Sequence, residues 1–280
     1  MKFVSFRLKS EAHAAPRGGV LEGDTVRPLP ATGHDDVLAA IRAVAHGSTL
    51  PALGAPIALA DVTLLAPLHH PPRIFGIGLN YADHAAESKM AVQAVPTVFM
   101  KLASSITGPD SDVLLPANAT EPDYEAELAV VIGKGGHHIA AADWEQHVFG
   151  YTILNDVSAR GVQLATTQWT LGKSFPTFTP LGPAIVSKDE VGDPHELAIQ
   201  LTLAGELLQN ANTRDLIFRV PALIEYLSSI TPLEPGDIIS TGTPPGVGLG
   251  RTPKRWIQPG EEMVIEIEKL GTLRNTARAI

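Results

Sequence analysis

The amino-acid sequence predicts a mainly β chain with α+β elements: a large β core, closed or rolled on itself, and a small N-terminal lobe carrying one helix. Three observations carry that expectation. Short β-rich runs recur along the chain with Gly/Pro loops between them, and stretches with helical spacing are few. One run, Asp123-Tyr124-Glu125-Ala126-Glu127-Leu128-Ala129-Val130-Val131-Ile132-Gly133, is largely apolar on both faces at period two, as a central strand would be.

Taken in order, residues 3–8 alternate as a strand. After a Pro/Gly-rich loop, Gly19-Val20-Leu21-Glu22-Gly23-Asp24-Thr25-Val26 follows as a hairpin turning at Glu22-Gly23-Asp24. Asp35 and Asp36 open a helix whose Val37, Leu38, Ile41, Val44 and Ala45 share one side, and Gly47 closes it. Pro51, Pro56, Pro67, Pro71 and Pro72 punctuate the next stretch, so a boundary near residue 65 separates a lobe of residues 1–65 from a larger domain of residues 66–280. Within that domain strands are expected at Ile74 to Gly78, Thr97 to Lys101, the Glu-x-Glu run, Gly150 to Asp156, Leu197 to Leu203, Ile238 to Thr241 and Met263 to Ile267. Helices are expected at residues 141–147 and from Asp215 to Ser229, where Pro221 marks a kink or a restart.

With 280 residues, 44% apolar and 18% charged, the chain can bury a full core as a soluble globular protein. A net charge of −9 argues against a nucleic-acid groove, which needs clustered Lys and Arg, but leaves a small anionic substrate open. The absence of cysteine excludes a disulfide framework and a thiol nucleophile. Met1-Lys2-Phe3-Val4-Ser5-Phe6-Arg7 lacks the apolar core of a signal peptide, and no run of about 18 apolar residues occurs, so a cytoplasmic protein that does not enter membranes is expected.

The Glu-x-Glu run carries the chemical signal. Period two puts Glu125, Glu127, Ala129 and Val131 on one face and Ala126, Leu128, Val130 and Ile132 on the other. Two carboxylates then point the same way into an apolar interior, which is costly without a positive partner. That partner is either an Arg or Lys in a buried ion pair, or a bound cation. Tyr151-Thr152-Ile153-Leu154-Asn155-Asp156 ends in a third carboxylate, and three carboxylates without cysteine suit a hard cation such as Mg²⁺ or Mn²⁺ better than Zn²⁺. His84 and Glu87, spaced i, i+3, share a face if helical, where the carboxylate can hold the imidazole in one tautomer.

Gly78-Leu79-Asn80-Tyr81-Ala82-Asp83-His84, the Glu-x-Glu strand, Asn155-Asp156-Val157-Ser158-Ala159-Arg160, Gly172-Lys173-Ser174-Phe175 and Thr241-Gly242-Thr243-Pro244 follow one another in an order that resembles the fumarylacetoacetate hydrolase family, from about Arg73 to the end. The resemblance implies a mixed β-roll core with an open mouth beside the small N-terminal α+β lobe. It implies that Glu125, Glu127 and Asp156 hold Mg²⁺, with Mn²⁺ or Ca²⁺ as substitutes. Lys173 is then the active-site lysine, flanked by Leu171 and Phe175 as core residues. Arg160, Gln163, Tyr81 and Thr243 contact substrate, His84 and Glu87 form a water-activating dyad, and Glu87 to Gln93 form a lid. His137, His138 and His195 match no family position and are expected at the surface. Gly161 and Pro176 depart from the family pattern, since many relatives carry Asp at both places.

The function implied is Mg²⁺-dependent hydrolysis of a C–C bond in a 2,4-diketo (acylpyruvate-like) acid, giving pyruvate or a related 2-oxo acid and a carboxylic acid. Oxaloacetate-type decarboxylation and hydroxy-diene dioate isomerisation are the alternatives within the family, and a non-catalytic binding protein is the alternative outside it. The family also implies a homodimer whose only other partner is a small 2-oxo acid.

Overall fold

A computed structural model describes residues 1–33, 36–82 and 93–280. In chain order its strands are β1 Lys2–Leu8, β2 Arg17–Glu22, β3 Thr25–Pro28, β4 Ile57–Ala58, β5 Val62–Leu65, β6 Ile74–Gly78, β7 Thr97–Lys101, β8 Ile106–Thr107, β9 Asp112–Leu115, β10 Pro122–Asp123, β11 Ala126–Ile132, β12 Val148–Asn155, β13 Ser158–Ala159, β14 Thr179–Ser187, β15 Ala198–Leu203, β16 Glu206–Asn212, β17 Ile238–Ser240, β18 Glu262–Ile267 and β19 Gly271–Ala279. Among the described residues most of them build one 12-stranded sheet in the order β4-β3-β2-β1-β14-β12-β11-β17-β6-β7, with β5 on β1 and β8 on β14. A second sheet runs β16-β15-β18-β19-β9. The large sheet is mixed: β17 lies parallel to β6, whereas β11 pairs antiparallel with β12 and β17.

β11 is central, as its two apolar faces require, and all of its residues are buried. The two faces enter different cores. Ala126, Leu128, Val130 and Ile132 pack with Leu201 and Ile265 of the second sheet and with Leu223 and Ile224 of the helix Val220–Ile230. Ala129 and Val131 pack on the opposite side with Phe3, Val37, Leu38 and Ile41 of the N-terminal lobe. Each buried aliphatic side chain contributes roughly 1.5–3 kcal/mol, so a strand buried on both faces anchors both cores.

The lobe's strands extend the same sheet, because β1 pairs with β14 through Phe3 and Ile185. Its hairpin turns at Gly23, where φ is +55°, and its helix spans Asp36–Ala45. Asp36 anchors the helix start by accepting from the backbone N–H groups of Gly18 and Thr32 at 2.9 and 2.8 Å; Asp35 lies outside the described residues. Val44, expected on the buried side, is 38% exposed.

Downstream, the 215–229 prediction resolves into a 3₁₀ turn, Thr213–Asp215, and a separate helix, Val220–Ile230, with Pro221 in its first turn, where a missing N–H costs nothing. Of the strands absent from the sequence reading, the three longest are β14, β16 and β19. β14 carries Pro180, Gly182 and Pro183, which read as a loop, and β16 and β19 are too polar to give an apolar run. His195 corrects another expectation: it is buried, not at the surface. Its Nδ1 meets Asp193 at 2.9 Å and its Nε2 accepts the N–H of Val220 at 3.2 Å, capping the helix. Burial holds this imidazole below its ordinary pKa, against the opposing pull of Asp193. No helix among the described residues is long and apolar enough to cross a membrane.

Candidate active site

The antiparallel β11–β12 ladder brings the three acids together. Ala126 pairs with Asn155, so Glu125 and Asp156 sit side by side at the strand ends, with the Asp156 N–H donating to the Glu125 carbonyl at 2.9 Å. Glu127 is held from the other flank: Ser240 Oγ and the Gly242 N–H donate to its Oε2 at 2.5 and 2.9 Å. Glu125, Glu127 and Asp156 each offer an oxygen within 4.8 Å of the others, and all three are buried. An all-oxygen, all-carboxylate set of this size fits a hard divalent cation.

Of the two partners foreseen for the paired acids, the ion pairs are present: three side-chain cations penetrate the cluster. Lys173 Nζ donates to Glu125 Oε2 at 2.9 Å, Asp156 Oδ2 at 2.5 Å and Ser158 Oγ at 2.9 Å. Arg160 is forked: Nε donates to Asp123 Oδ2 at 2.8 Å, one terminal nitrogen to Gln163 at 2.8 Å and the other to Glu125 Oε1 at 2.6 Å. Lys101, fully buried, donates to Asp156 Oδ1 at 2.6 Å, to the Phe178 carbonyl at 3.0 Å and to the Lys173 carbonyl. Three acceptors around one nitrogen require three N–H groups, so Lys101 is an ammonium.

Four carboxylates, those of Asp123, Glu125, Glu127 and Asp156, thus face three cations among the described residues, leaving one negative charge in excess. The excess falls on Glu127. Burial, reinforced by Asp156 and Glu125, pushes its carboxyl up to about 8. Burial opposes the Lys173 charge too, but Asp156 and Glu125 outweigh it and raise the lysine's pKa; at Lys101 burial wins and lowers it. A divalent cation would reverse the local charge from net negative to net positive, which suits an anionic ligand.

A narrow cavity of about 30 Å³ opens above the cluster. Glu125, Glu127, Arg160, Gln163, Lys173 and Thr243 line its polar side, while Ile77, Leu79, Phe99, Leu164, Trp169 and Leu249 line the rest. Asp156 lies beneath the floor, with no exposed surface. Thr243 is fixed by donating to the Ala126 carbonyl at 3.0 Å and accepting from Gln209 at 2.8 Å. Tyr81 is brought close without joining the lining: it is buried, bridges to Leu216, and its hydroxyl finds no hydrogen-bond partner among the described residues. His84, Glu87 and most of the expected lid lie outside the described residues. Leu171, expected to be core, is 71% exposed, whereas Phe175 is partly buried against the main core.

Sequence reading missed several supports. Asp123 accepts the N–H groups of Gly248 and Leu249 at 2.7 and 3.0 Å as well as Arg160, tying the loop carrying Leu249 to the floor. Asn80 pins the Gly78–Tyr81 turn by donating to the Phe218 and Thr241 carbonyls at 2.9 and 2.7 Å. Gly161 also finds a physical reason: a Cβ there would lie 2.1 Å from Thr120 Oγ1, so no side chain fits while Thr120 keeps its place. Pro176 is exposed and does not line the cavity.

Known proteins share this architecture. Residues 73–278 match the fumarylacetoacetate (FAA) hydrolase C-terminal family model. A mitochondrial oxaloacetate tautomerase of Rattus norvegicus is 44% identical over 267 residues, covering 92% of this chain and 83% of the relative. The fumarylacetoacetate hydrolase of psychrophilic Exiguobacterium antarcticum superposes over all of both chains with a TM-score of 0.88 at 35% identity. A maleylpyruvate hydrolase from Sphingobium sp. SYK-6, solved with manganese(II) and pyruvate, superposes over 100% of this chain and 99% of its own with a TM-score of 0.81 at 34% identity. The chain therefore belongs to the fumarylacetoacetate hydrolase family of enzymes.

Proposed function

We propose that this enzyme is a divalent-metal-dependent hydrolase that cleaves the C–C bond of an acylpyruvate-like 2,4-diketo acid, releasing pyruvate or a related 2-oxo acid and a carboxylic acid. The observation that carries the reading is the convergence of Glu125, Glu127 and Asp156, with Lys173 Nζ held against two of them. Mg²⁺, or Mn²⁺ or Ca²⁺ in its place, held by these three carboxylates would act as a Lewis acid on the 2-oxo group. Lys173 supplies fixed positive charge where the enolate develops, and its bonds to Glu125, Asp156 and Ser158 keep it from turning away. Arg160, Gln163 and Thr243 orient the substrate. Water adds to the distal carbonyl, the bond between it and the adjacent carbon breaks, and the electron pair stays on the pyruvate fragment as its enolate. His84, oriented by Glu87, takes the proton from that water, and a proton returned to the enolate carbon completes the 2-oxo acid.

A second reading, keto–enol tautomerisation of oxaloacetate, is favoured by the likeness to the rat oxaloacetate tautomerase. It needs the same metal and Lys173 but no attacking water. Turnover in ¹⁸O-labelled water separates the two. Hydrolysis puts the label into the released carboxylic acid, and His84→Ala loses that activity. Rapid loss of enol-oxaloacetate absorbance with no cleavage of any acylpyruvate would replace the first reading by the second.

A further inference from the structure

The cavity has two unlike ends, and the floor alone is accounted for by a 2-oxo acid head group. The far wall is built around two rings. Phe99 and Trp169 meet at a centroid distance of 5.6 Å and 57° between planes, and the Phe99 ring stands 4.8 Å from Lys173 Nζ. Both rings are seated on side-chain-free positions of β6. A Cβ on Gly76 would lie 2.2 Å from the Phe99 ring, and one on Gly78 would lie 2.4 Å from Trp169 Cζ3. Leu164, 44% exposed, and Leu249 complete the apolar part of the lining. The cations lining the cavity among the described residues are Arg160 and Lys173, and both are engaged by carboxylates of the floor. A second carboxylate on the substrate would meet rings and aliphatic carbon there, with its hydration lost and no described cation to replace it.

We propose, resting on the 2-oxo acid reading above, that Phe99 and Trp169 form an acyl subsite selecting 2-oxo acids whose distal group is alkyl or aryl over those ending in a second carboxylate. The selectivity resides in Trp169, the less buried of the two rings, while Phe99 also leans on Lys173.

The test is calorimetric titration of the full-length protein with Mg²⁺, using three ligands that do not react: oxalate, which is head group alone; 5-methyl-2-oxohexanoate; and 2-oxoglutarate, its near-isostere with a distal carboxylate. The subsite predicts that the branched acid binds tighter than 2-oxoglutarate by roughly tenfold or more, about the effect of burying two methyl groups. Trp169→Ala should shrink that ratio to about threefold or less, and Trp169→Arg should invert it, each leaving oxalate affinity within about twofold. Oxalate binding with no preference for the apolar acid, or a preference that Trp169→Ala leaves intact, overturns the subsite while the 2-oxo acid reading stands. No binding of oxalate or of either 2-oxo acid overturns both.

Discussion

The floor and the far wall of the cavity solve opposite problems. The floor gathers four buried carboxylates and three buried cations, a set whose members are each expensive to bury and tolerable only together. The wall gathers Phe99, Trp169, Leu164 and Leu249, which need no partners and meet little penalty if one of them moves. The difference teaches where rigidity and tolerance lie. Changes in the floor should be felt by the whole fold, and changes in the wall chiefly by the choice of ligand.

The largest expected effect tests the floor as a structural unit. Arg160→Met would leave Asp123 and Glu125 buried without their shared partner, and breaking such a pair costs roughly 3–5 kcal/mol. Urea unfolding should show that loss, or the variant should fail to fold. A loss below about 1 kcal/mol, the size of a surface pair, would show that the floor tolerates vacancies as the wall does. Lys173→Met tests the floor's chemistry instead. Lys101 and Arg160 still offset much of the negative charge, so the protein should fold, though with reduced stability, and turnover should drop by roughly 10²–10³ as the fixed charge at the enolate disappears. Unchanged turnover would assign Lys173 to structure alone.

The excess negative charge gives a pH signature that the wall cannot give. Glu127 has a folded pKa raised to about 8, above its unfolded value of 4.5. A group shifted upward contributes stability that is fully present below the unfolded value and is lost as pH rises through the folded one. Chelator-treated protein should therefore lose stability between about pH 5 and pH 9, and Mg²⁺ should restore more of it at the alkaline end, since binding expels the proton. Thermal melts across that range, with and without Mg²⁺, check the sign. A metal increment independent of pH would mean that Glu127 is already ionised in the metal-free protein.

The same contrast explains what could be read from the chain. Glu125, Glu127 and Asp156 were legible because carboxylates inside apolar strands are anomalies, and anomalies call for partners. The two-faced burial of β11 followed from its period for the same reason. Lys101 was not legible: at the end of a short strand it looks like any solvated lysine, and only the tertiary approach of Asp156 buries it. Phe99 was silent because an aromatic residue in a strand ordinarily means core, and Trp169, in the loop just before the Thr170–Lys173 turn, belongs to no pattern. Their role appears only once Gly76 and Gly78 are seen beneath them. Leu171 and His195 exchanged their expected places because local polarity says nothing about which neighbour will cover a residue.

The smallest expected effect sharpens the comparison most, because it changes the wall by one methyl group. In Gly78→Ala the new carbon would lie 2.4 Å from Trp169 Cζ3 and 3.1 Å from its Cη2, so the ring must swing outward. Trp169 is only partly buried and has room to do so, hence a stability loss of about 1 kcal/mol, the low end for overpacking. Oxalate affinity should stay unchanged while the preference for the branched acid over 2-oxoglutarate declines, since the subsite loses one wall. Gly76→Ala should behave differently. Its methyl would strike Phe99, which is 8% exposed and stands against Lys173, so displacement there is transmitted to the floor and turnover should fall along with selectivity. The pair of variants, compared by unfolding, oxalate titration and turnover, places the border between wall and floor between two adjacent glycines of one face of β6. Equal losses of turnover in both variants would erase that border, and with it the claim that Trp169 governs ligand choice apart from the chemistry below it.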